Sequence, residues 1–237
     1  MADIFRRVEK KYIITARQYE MLKEVLKNYM VEDEHGKSTI RNIYYDSKCY
    51  DLISHSITKP YIKEKVRVRS YNTPNKESTV FLEIKRKCEG VVGKRRISMK
   101  YSELGNYQKD KTLTKCDNNQ IKSELDYYFE KYDLEPKMYV SYSREAFYKK
   151  DDRDFRITFD SNILARQYDL RLDATNIGTN ILERNKYVME IKTLGTIPLW
   201  LVRLLDEFQI SPCGFSKYGE AYTQLVLKAN TCEKLVV

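Results

Sequence analysis

The stretch Ile62-Lys-Glu-Lys-Val-Arg-Val-Arg-Ser-Tyr71 alternates basic and apolar side chains. A β-strand points successive side chains to opposite faces, so a period of two predicts a strand here. One face of this strand carries four cations: Lys63, Lys65, Arg67 and Arg69. The opposite face is apolar, through Ile62, Val66 and Val68. We therefore predict a sheet strand with one cationic side and one apolar side.

Five other segments alternate in the same way, with charged side chains at every second position. Their charged positions are Arg7, Glu9 and Lys11; Glu83, Lys85 and Lys87; Lys94 and Arg96; Arg156 and Asp160; Glu190 and Lys192. For a single strand, a solvent-exposed outer face is the more common explanation. Six strands with the same pattern favour instead a wet interior lined by charges, with the apolar residues outside.

Amphipathic segments supply helices that could cover the apolar side. Helices are predicted over 16–29, 121–132, 198–208 and 215–228. Thr15 is expected to cap the first and Pro198 to start the third. The polar stretch 110–119 is predicted as a loop, and no pattern is assigned to 169–184. We predict an α+β fold, a closed antiparallel β-barrel (a tunnel of about eight strands) with helices packed outside.

The composition limits the class of protein and its partners. Of 237 residues, 42% are hydrophobic and 32% charged, which is typical of a folded chain rather than a disordered one. Only 8 Gly and 5 Pro occur, with no linker-like stretch, so one domain over 1–237 is predicted. The net charge of +9 predicts an anionic partner, and nucleic acid, an acidic membrane surface and polyphosphate all stay open on charge alone. With five widely spaced cysteines, no signal-peptide pattern and no long apolar run, a cytoplasmic protein is expected.

Phosphate is the anion that best matches these residues. The forked donors of arginine pair with two phosphate oxygens at once, and lysine adds compact charges. Carboxylates lie among the cations, at Glu9, Glu83, Asp160 and Glu190. Oxygen ligands of this kind suit a hard divalent cation beside phosphate. The pattern indicates a multiply charged, phosphate-like anion as the bound molecule, with a hard divalent cation beside it.

Eight short motifs occur in a fixed order along the chain. They are Arg7-x-Glu9-x-Lys11-Tyr12, Arg67-x-Arg69, Leu82-Glu-Ile-Lys85, Lys94-x-Arg96, Tyr142-x-Arg144-x-Ala-Phe147, Arg156-Ile-Thr-x-Asp160, Glu190-Ile-Lys192 and Phe215-Ser-Lys217-Tyr218. Together they resemble the catalytic domain of the vacuolar transporter chaperone (VTC) complex, a polyphosphate polymerase. That domain is one of the triphosphate tunnel metalloenzymes, which include the CYTH-type triphosphatases. The resemblance runs from Arg6 to about Tyr222 and is carried by the order of the motifs.

The resemblance implies a metal-dependent transfer of the ATP γ-phosphate to a growing polyphosphate chain. The implied catalytic cations are Arg67, Arg69, Lys85, Arg144, Arg156 and Lys217. The implied substrate-binding residues are Lys11, Lys65, Lys94, Arg96, Tyr142 and Lys192. Glu190 and Glu9 would hold Mn²⁺ or Mg²⁺. The implied partners are ATP and inorganic polyphosphate or triphosphate, without nucleic acid, and a membrane protein could receive the product.

The first motif departs from the wider superfamily. The triphosphatases have Glu-x-Glu-x-Lys where this chain has Arg7-x-Glu9-x-Lys11. Without the first carboxylate, a metal ligand that helps to activate a hydrolytic water is lost, which favours transfer. Two alternatives stay open: a metal-dependent tripolyphosphatase or nucleoside triphosphatase, and a non-catalytic module that binds polyphosphate. His35 and His55 lie outside the strand motifs and are expected in surface positions.

Overall fold

A computed structural model gives the chain an α+β fold built on antiparallel strands. It describes residues 8–34, 36–89 and 91–229, so the expectations for Arg7 and His35 lie outside the described residues. The strands are β1 (Val8–Thr15), β2 (Met30–Glu32), β3 (Ser38–Asp46), β4 (Ile62–Tyr71), β5 (Thr79–Cys88), β6 (Val91–Lys100), β7 (Glu135–Lys149), β8 (Asp152–Arg166), β9 (Thr179–Asn180) and β10 (Lys186–Thr193). The helices are α1 (Ala16–Tyr29), α2 (Asp51–Ile57), α3 (Leu104–Asp110), α4 (Asn119–Tyr132), α5 (Leu199–Glu207) and α6 (Lys217–Tyr222).

The hydrogen-bonded strand order is β1-β10-β8-β7-β3-β4-β5-β6, with β2 on β7 and β9 on β8. A barrel closes only when its first and last strands exchange backbone hydrogen bonds. In the part of the chain that the structure describes, β1 and β6 end this order and do not pair with each other. The prediction of a closed barrel is therefore wrong. The α+β class, the antiparallel pairing and the eight strands of the main order are confirmed.

The contacts group the chain into two compact units. Of the described residues, the first comprises those up to Ser38, Tyr142–Ile163 and Leu182–Ser216. In it β1 pairs with β10 and β10 with β8, and the apolar positions of these strands face one way. Tyr12, Ile157 and Met189 are buried there against α1 and α5. The opposite face of the three strands is left to the charged positions.

The second unit comprises the described residues of Thr39–Ser141, of Leu164–Ile181 and from Lys217 to 229. Here β3, β4, β5 and β6 pair in order, each antiparallel to the next. Val66, Leu82 and Ile97 are buried in a core that also includes side chains of α3 and α4. The alternation along β4 (Ile62–Tyr71) thus places the apolar side chains under the helices and the cationic side chains on the opposite side of the sheet. The expectation of one domain over 1–237 stays a prediction.

The predicted N-cap of α1 is present, whereas α4 begins at an N-cap that is not predicted. Thr15 Oγ1 accepts from Gln18 N at 3.2 Å, and Thr15 N donates to Gln18 Oε1 at 2.9 Å, which forms a capping box at α1. Asn118 Oδ1 accepts from Ile121 N at 3.0 Å, so α4 begins two residues before its predicted start. The last predicted helix divides into α6 and a π-helix, Thr223–Leu227.

Two short helices, α2 and α3, are not predicted. The residue before α2, Tyr50, has a positive φ of 62° and no side-chain cap. The first N–H groups of α2 are satisfied from a distance instead, because Asp46 accepts from Leu52 N at 2.8 Å and from Ile53 N at 3.0 Å. Among the described residues, the helices all fall short of the length and apolarity that crossing a membrane requires.

Candidate functional site

The cationic face of the second unit is formed by every second residue of β4, β5 and β6. Residues that are directly opposite across a strand pair point to the same side of the sheet. The register therefore arranges this face in rows that cross three strands. One row is Arg67, Glu83 and Arg96, and the next is Lys65, Lys85 and Lys94. Beyond it, Lys63 is opposite Lys87. Eight cations thus share the face, the eighth being Arg69.

The row of Lys65, Lys85 and Lys94 brings three like charges opposite one another. Directly opposite residues have Cβ atoms about 4.5–5.5 Å apart, and like charges there are destabilising. Burial lowers the pKa of the Lys94 amine; Glu83 opposes this shift, and Arg96, Arg69 and Arg67 add to it. Burial also lowers the pKa of Lys63, with contributions from Lys87 and Lys59. The face therefore favours an anion that neutralises it.

Glu83 is the carboxylate at the centre of this face and is 1% exposed. Its Oε2 accepts from Arg67 Nε at 2.9 Å and lies 2.8 Å from Arg67 Nη2. Burial raises the pKa of Glu83, but Arg67, Arg69 and Lys94 outweigh it and bring this pKa to about 2. Glu83 Oε1 lies 3.9 Å from Lys94 Nζ and has no hydrogen-bond partner among the described residues. Glu83 stays ionised and fixes the orientation of Arg67.

Strand β3 orients the two arginines from the other side. Arg67 Nη1 donates to Tyr44 Oη at 3.1 Å. Arg69 Nε donates to Asn42 Oδ1 at 3.1 Å, and the amide of Asn42 in turn donates to Val140 O at 3.0 Å. Both guanidinium groups are therefore held in place before any ligand binds.

Lys217, the remaining predicted cation of the second unit, is the first residue of α6. Its neighbour Tyr218 is buried and donates from Oη to Asp46 Oδ2 at 2.9 Å. The Tyr218 ring also stacks on Tyr44, with centroids 4.5 Å apart. Asp46 thus anchors the start of α6 as well as the start of α2, which fixes the backbone from which Lys217 extends.

The charged face of the first unit differs, because opposite signs face each other. Glu9 is opposite Lys192 and Lys11 is opposite Glu190 in the β1–β10 pair. Along each strand a further ion pair forms, with 3.3 Å between Lys11 Nζ and Glu9 Oε1 and 2.9 Å between Lys192 Nζ and Glu190 Oε1. Lys11 Nζ also donates to Phe215 O at 3.1 Å. This face is balanced in charge rather than strongly cationic.

Three further predicted residues of the first unit lie on β7 and β8. Arg144 donates to both carboxylate oxygens of Asp160, at 2.6 and 2.7 Å, and its guanidinium lies 5.2 Å from the centroid of the Tyr142 ring. Arg156 is opposite Lys192 in the β8–β10 pair and is bonded to Asp33. The predicted residues are therefore brought together in two sets, one in each unit.

The carboxylates of the first unit are the candidates for a divalent cation. Across the described residues, no group of three or more His, Cys, Asp and Glu could hold a metal ion. Mg²⁺ often takes only one or two protein carboxylates, with phosphate and water oxygens completing its shell. Glu190 is directly opposite Thr158, whose buried Oγ1 has no hydrogen-bond partner in the described part of the chain. Glu190 with Glu9 fits such a partial shell, and Thr158 adds an unsatisfied oxygen beside it.

Several residues of these faces are not identified as site residues from the sequence. Some lie outside the alternating stretches, and others lie within them but receive no predicted function. Tyr44, Asn42 and Asp46 lie on β3, which no motif identifies as a strand. Lys63 and Lys87 do stand in the alternating stretches, but the register that pairs them cannot be read from periodicity. Glu83 is visible as a carboxylate among cations, and its burial is the new observation.

Comparisons with known proteins show what the chain is similar to. The family model described as the VTC domain matches residues 6–226. A candidate adenylyl cyclase from Hippeastrum with a dominant triphosphatase activity has a similar structure, with a TM-score of 0.52 and 14% identity, over 92% of this chain and 96% of that chain. A candidate adenylate cyclase from Vibrio parahaemolyticus matches with a TM-score of 0.48 and 13% identity, over 90% and 96% of the two chains. No curated protein matches the chain.

Proposed function

Because the chain belongs to the VTC domain family, we propose that it is a polyphosphate polymerase that transfers the γ-phosphoryl group of ATP to a growing polyphosphate chain. The observation that carries this proposal is the row of Lys65, Lys85 and Lys94 on three adjacent strands. Three lysines at directly opposite positions concentrate positive charge in one row, which suits an anion with several charges along its length. A triphosphate or a polyphosphate chain is such an anion.

A protein catalyses phosphoryl transfer mainly by positioning the reacting groups and by stabilising the charge on the phosphate oxygens. Arg67 and Arg69 meet the first requirement, since Glu83, Tyr44 and Asn42 hold their guanidinium groups in fixed directions. The lysines meet the second by neutralising phosphate oxygens whose negative charge changes during transfer. Glu83 keeps its charge and balances part of this field. The face is thereby organised for phosphate and not for a neutral substrate.

The proposed reaction exchanges one P–O bond for another. A terminal oxygen of the polyphosphate chain bonds to the γ-phosphorus, the bond from that phosphorus to the bridging oxygen breaks, and ADP leaves. The attacking oxygen is already an oxyanion, so no general base is required. The described histidine, His55, lies on α2 and not on the cationic face, in line with a reaction that uses no histidine as general base.

Glu190 and Glu9 are proposed to hold Mn²⁺ or Mg²⁺ together with phosphate oxygens. When bound, the cation would draw charge from those oxygens. Lys192 and Lys11 keep the two carboxylates in place through their ion pairs. Arg144 is paired with Asp160 and stacks near Tyr142, so it presents a rigid guanidinium edge on the same unit. Tyr142, Arg156 and Lys217 are proposed as further phosphate contacts.

A second candidate is hydrolysis of a triphosphate. The Hippeastrum protein, which shares the fold, has a dominant triphosphatase activity. The two reactions separate when purified protein is incubated with ATP and Mn²⁺ and the products are resolved on a gel. The proposed polymerase gives a ladder of long polyphosphate with one ADP per phosphate added. Free phosphate without any ladder would assign the chain to the hydrolases instead.

A further inference from the structure

The cationic face of the second unit changes character at one end. Two residue pairs beyond Arg67 and Glu83, the position opposite Arg69 is taken by an aromatic side chain, Phe81. Phe81 is half-buried and lies on the same side of the sheet as Glu83, because the two are two positions apart on β5. The strand rise puts Phe81 roughly 13 Å from Lys85. The phosphate-binding row and this ring therefore lie at different points along one face.

Arg96 behaves differently from the other cations of this face. It is directly opposite Glu83 on β6, yet its guanidinium lies over the Phe81 ring, 4.5 Å from the centroid. It makes no hydrogen bond or ion pair to the residues that the structure describes. Tyr71 meets the same ring edge-on, with centroids 6.0 Å apart, and is 47% exposed. Phe81, Arg96 and Tyr71 form an aromatic platform whose planar groups are accessible to solvent.

A hydroxyl and a carboxylate lie beside this platform. Ser98 is directly opposite Phe81 on β6, on the same face, and its Oγ donates to Asp117 Oδ2. Asp117 is exposed and has no cation among the described residues as a partner. A carboxylate repels phosphate but accepts hydrogen bonds from hydroxyl and amino groups. Beside Arg69, the end of the face at Phe81 thus offers groups that suit a ring with polar substituents.

We propose that this platform binds the nucleoside part of the substrate, with the base stacked on Arg96 and Phe81 and its polar groups near Ser98 and Asp117. A guanidinium stacks on aromatic faces and is preorganised for it here, since Phe81 already supports its other side. The inference rests on the proposed function, in which the phosphates lie on the lysine row. It adds that the second unit distinguishes a nucleoside triphosphate from an inorganic triphosphate.

The test compares the affinity for a triphosphate that carries a nucleoside with the affinity for one that does not. Dissociation constants for a non-hydrolysable ATP analogue and for tripolyphosphate are measured by calorimetry for the parent protein and for two variants. Phe81→Leu keeps an apolar side chain but removes the ring, and Arg96→Lys keeps the charge but removes the planar group. Each variant is expected to weaken the binding of the ATP analogue by about tenfold, as for the loss of a stacked base. Binding of tripolyphosphate is expected to stay within about twofold of the parent.

Tyr168→Leu is the matched control, because Tyr168 is an exposed ring of the same unit and lies outside the platform. It is expected to change neither affinity, and thermal unfolding of all three variants verifies that they fold. The inference is overturned if both variants bind the ATP analogue as the parent does, or if they lose affinity for the two ligands equally. A parent protein that binds neither ligand would overturn the proposed function and this inference together. Binding of tripolyphosphate alone would overturn only the inference.

Discussion

Replacing Lys85 by Met should stabilise the ligand-free protein while weakening its hold on phosphate. Lys85 is the middle member of its row, with Lys65 opposite it on one side and Lys94 on the other. A like-charge pair in this position is destabilising, here taken as comparable in size to the roughly 0.2–1 kcal/mol of a favourable cross-strand pair, and Lys85 belongs to two such pairs. Methionine keeps most of the apolar chain and removes the charge. The free energy of unfolding should therefore rise by about 1 kcal/mol.

The same substitution should also lower the affinity of the protein for phosphate. A hydrogen bond to a charged group contributes about 1.5–3 kcal/mol, so the affinity for tripolyphosphate should fall by that amount. Urea unfolding measures the first effect, as a midpoint increase of about 0.3–1 M, and calorimetry measures the second. Added tripolyphosphate should consequently stabilise the parent more than the variant, because only the native state binds it.

Salt and a second substitution serve as controls for Lys85→Met. Raising the ionic strength from about 0.01 to about 1 M shortens the screening length from about 30 to about 3 Å. The parent should gain more stability from this change than the variant, because the repulsion between lysines is then screened. Lys76→Met, at an exposed lysine, should change neither stability nor affinity. A Lys85→Met protein that is less stable than the parent, or that binds tripolyphosphate as tightly, would refute the reasoning.

Three further predictions concern other residues of the two faces. Arg67→Ala should weaken tripolyphosphate binding by about 1.5–3 kcal/mol in calorimetry, and an unchanged affinity would place Arg67 outside the site. Glu190→Gln should abolish turnover of ATP with Mn²⁺ while leaving the melting temperature unchanged; full activity would exclude Glu190 as a ligand. The pKa of Glu83 is depressed from 4.5 to about 2, so its contribution to stability is present above pH 4.5 and is lost as the pH falls toward 2. Urea unfolding across this pH range should show a steeper loss for the parent than for Glu83→Gln, and parallel curves would contradict the assignment.

The sequence is sufficient for the strands that alternate and for the helices that carry their own caps. In β4 and β5 the apolar and cationic positions separate as predicted, because burial of one face sets the orientation of the whole strand. The capping box at Thr15 is likewise local, and α1 begins where it predicts. Membership of the VTC domain family follows from the order of the motifs and is confirmed by the match over residues 6–226.

The features of the fold and of the site that the sequence does not predict depend on contacts between residues that are distant in the chain. The lysine row exists only through the register, and periodicity does not determine which residues of two strands are opposite. The segment 169–184 has no regular pattern because buried arginines organise part of it. Arg166 donates to Asp169 O at 3.0 Å and to Ile177 O at 2.7 Å, and Arg41 donates to Leu172 O at 2.9 Å. Such side-chain to backbone bonds leave no periodic signature in the chain.

A crystal structure with a non-hydrolysable ATP analogue and Mn²⁺ tests most directly whether phosphate binds on the cationic face of the second unit. Phosphate oxygens within hydrogen-bond distance of Lys65, Lys85 and Lys94, with Arg67 and Arg69 unchanged in direction, are the expected result. An analogue bound elsewhere, with its phosphate oxygens beyond hydrogen-bond distance of those three lysines, would contradict the central claim.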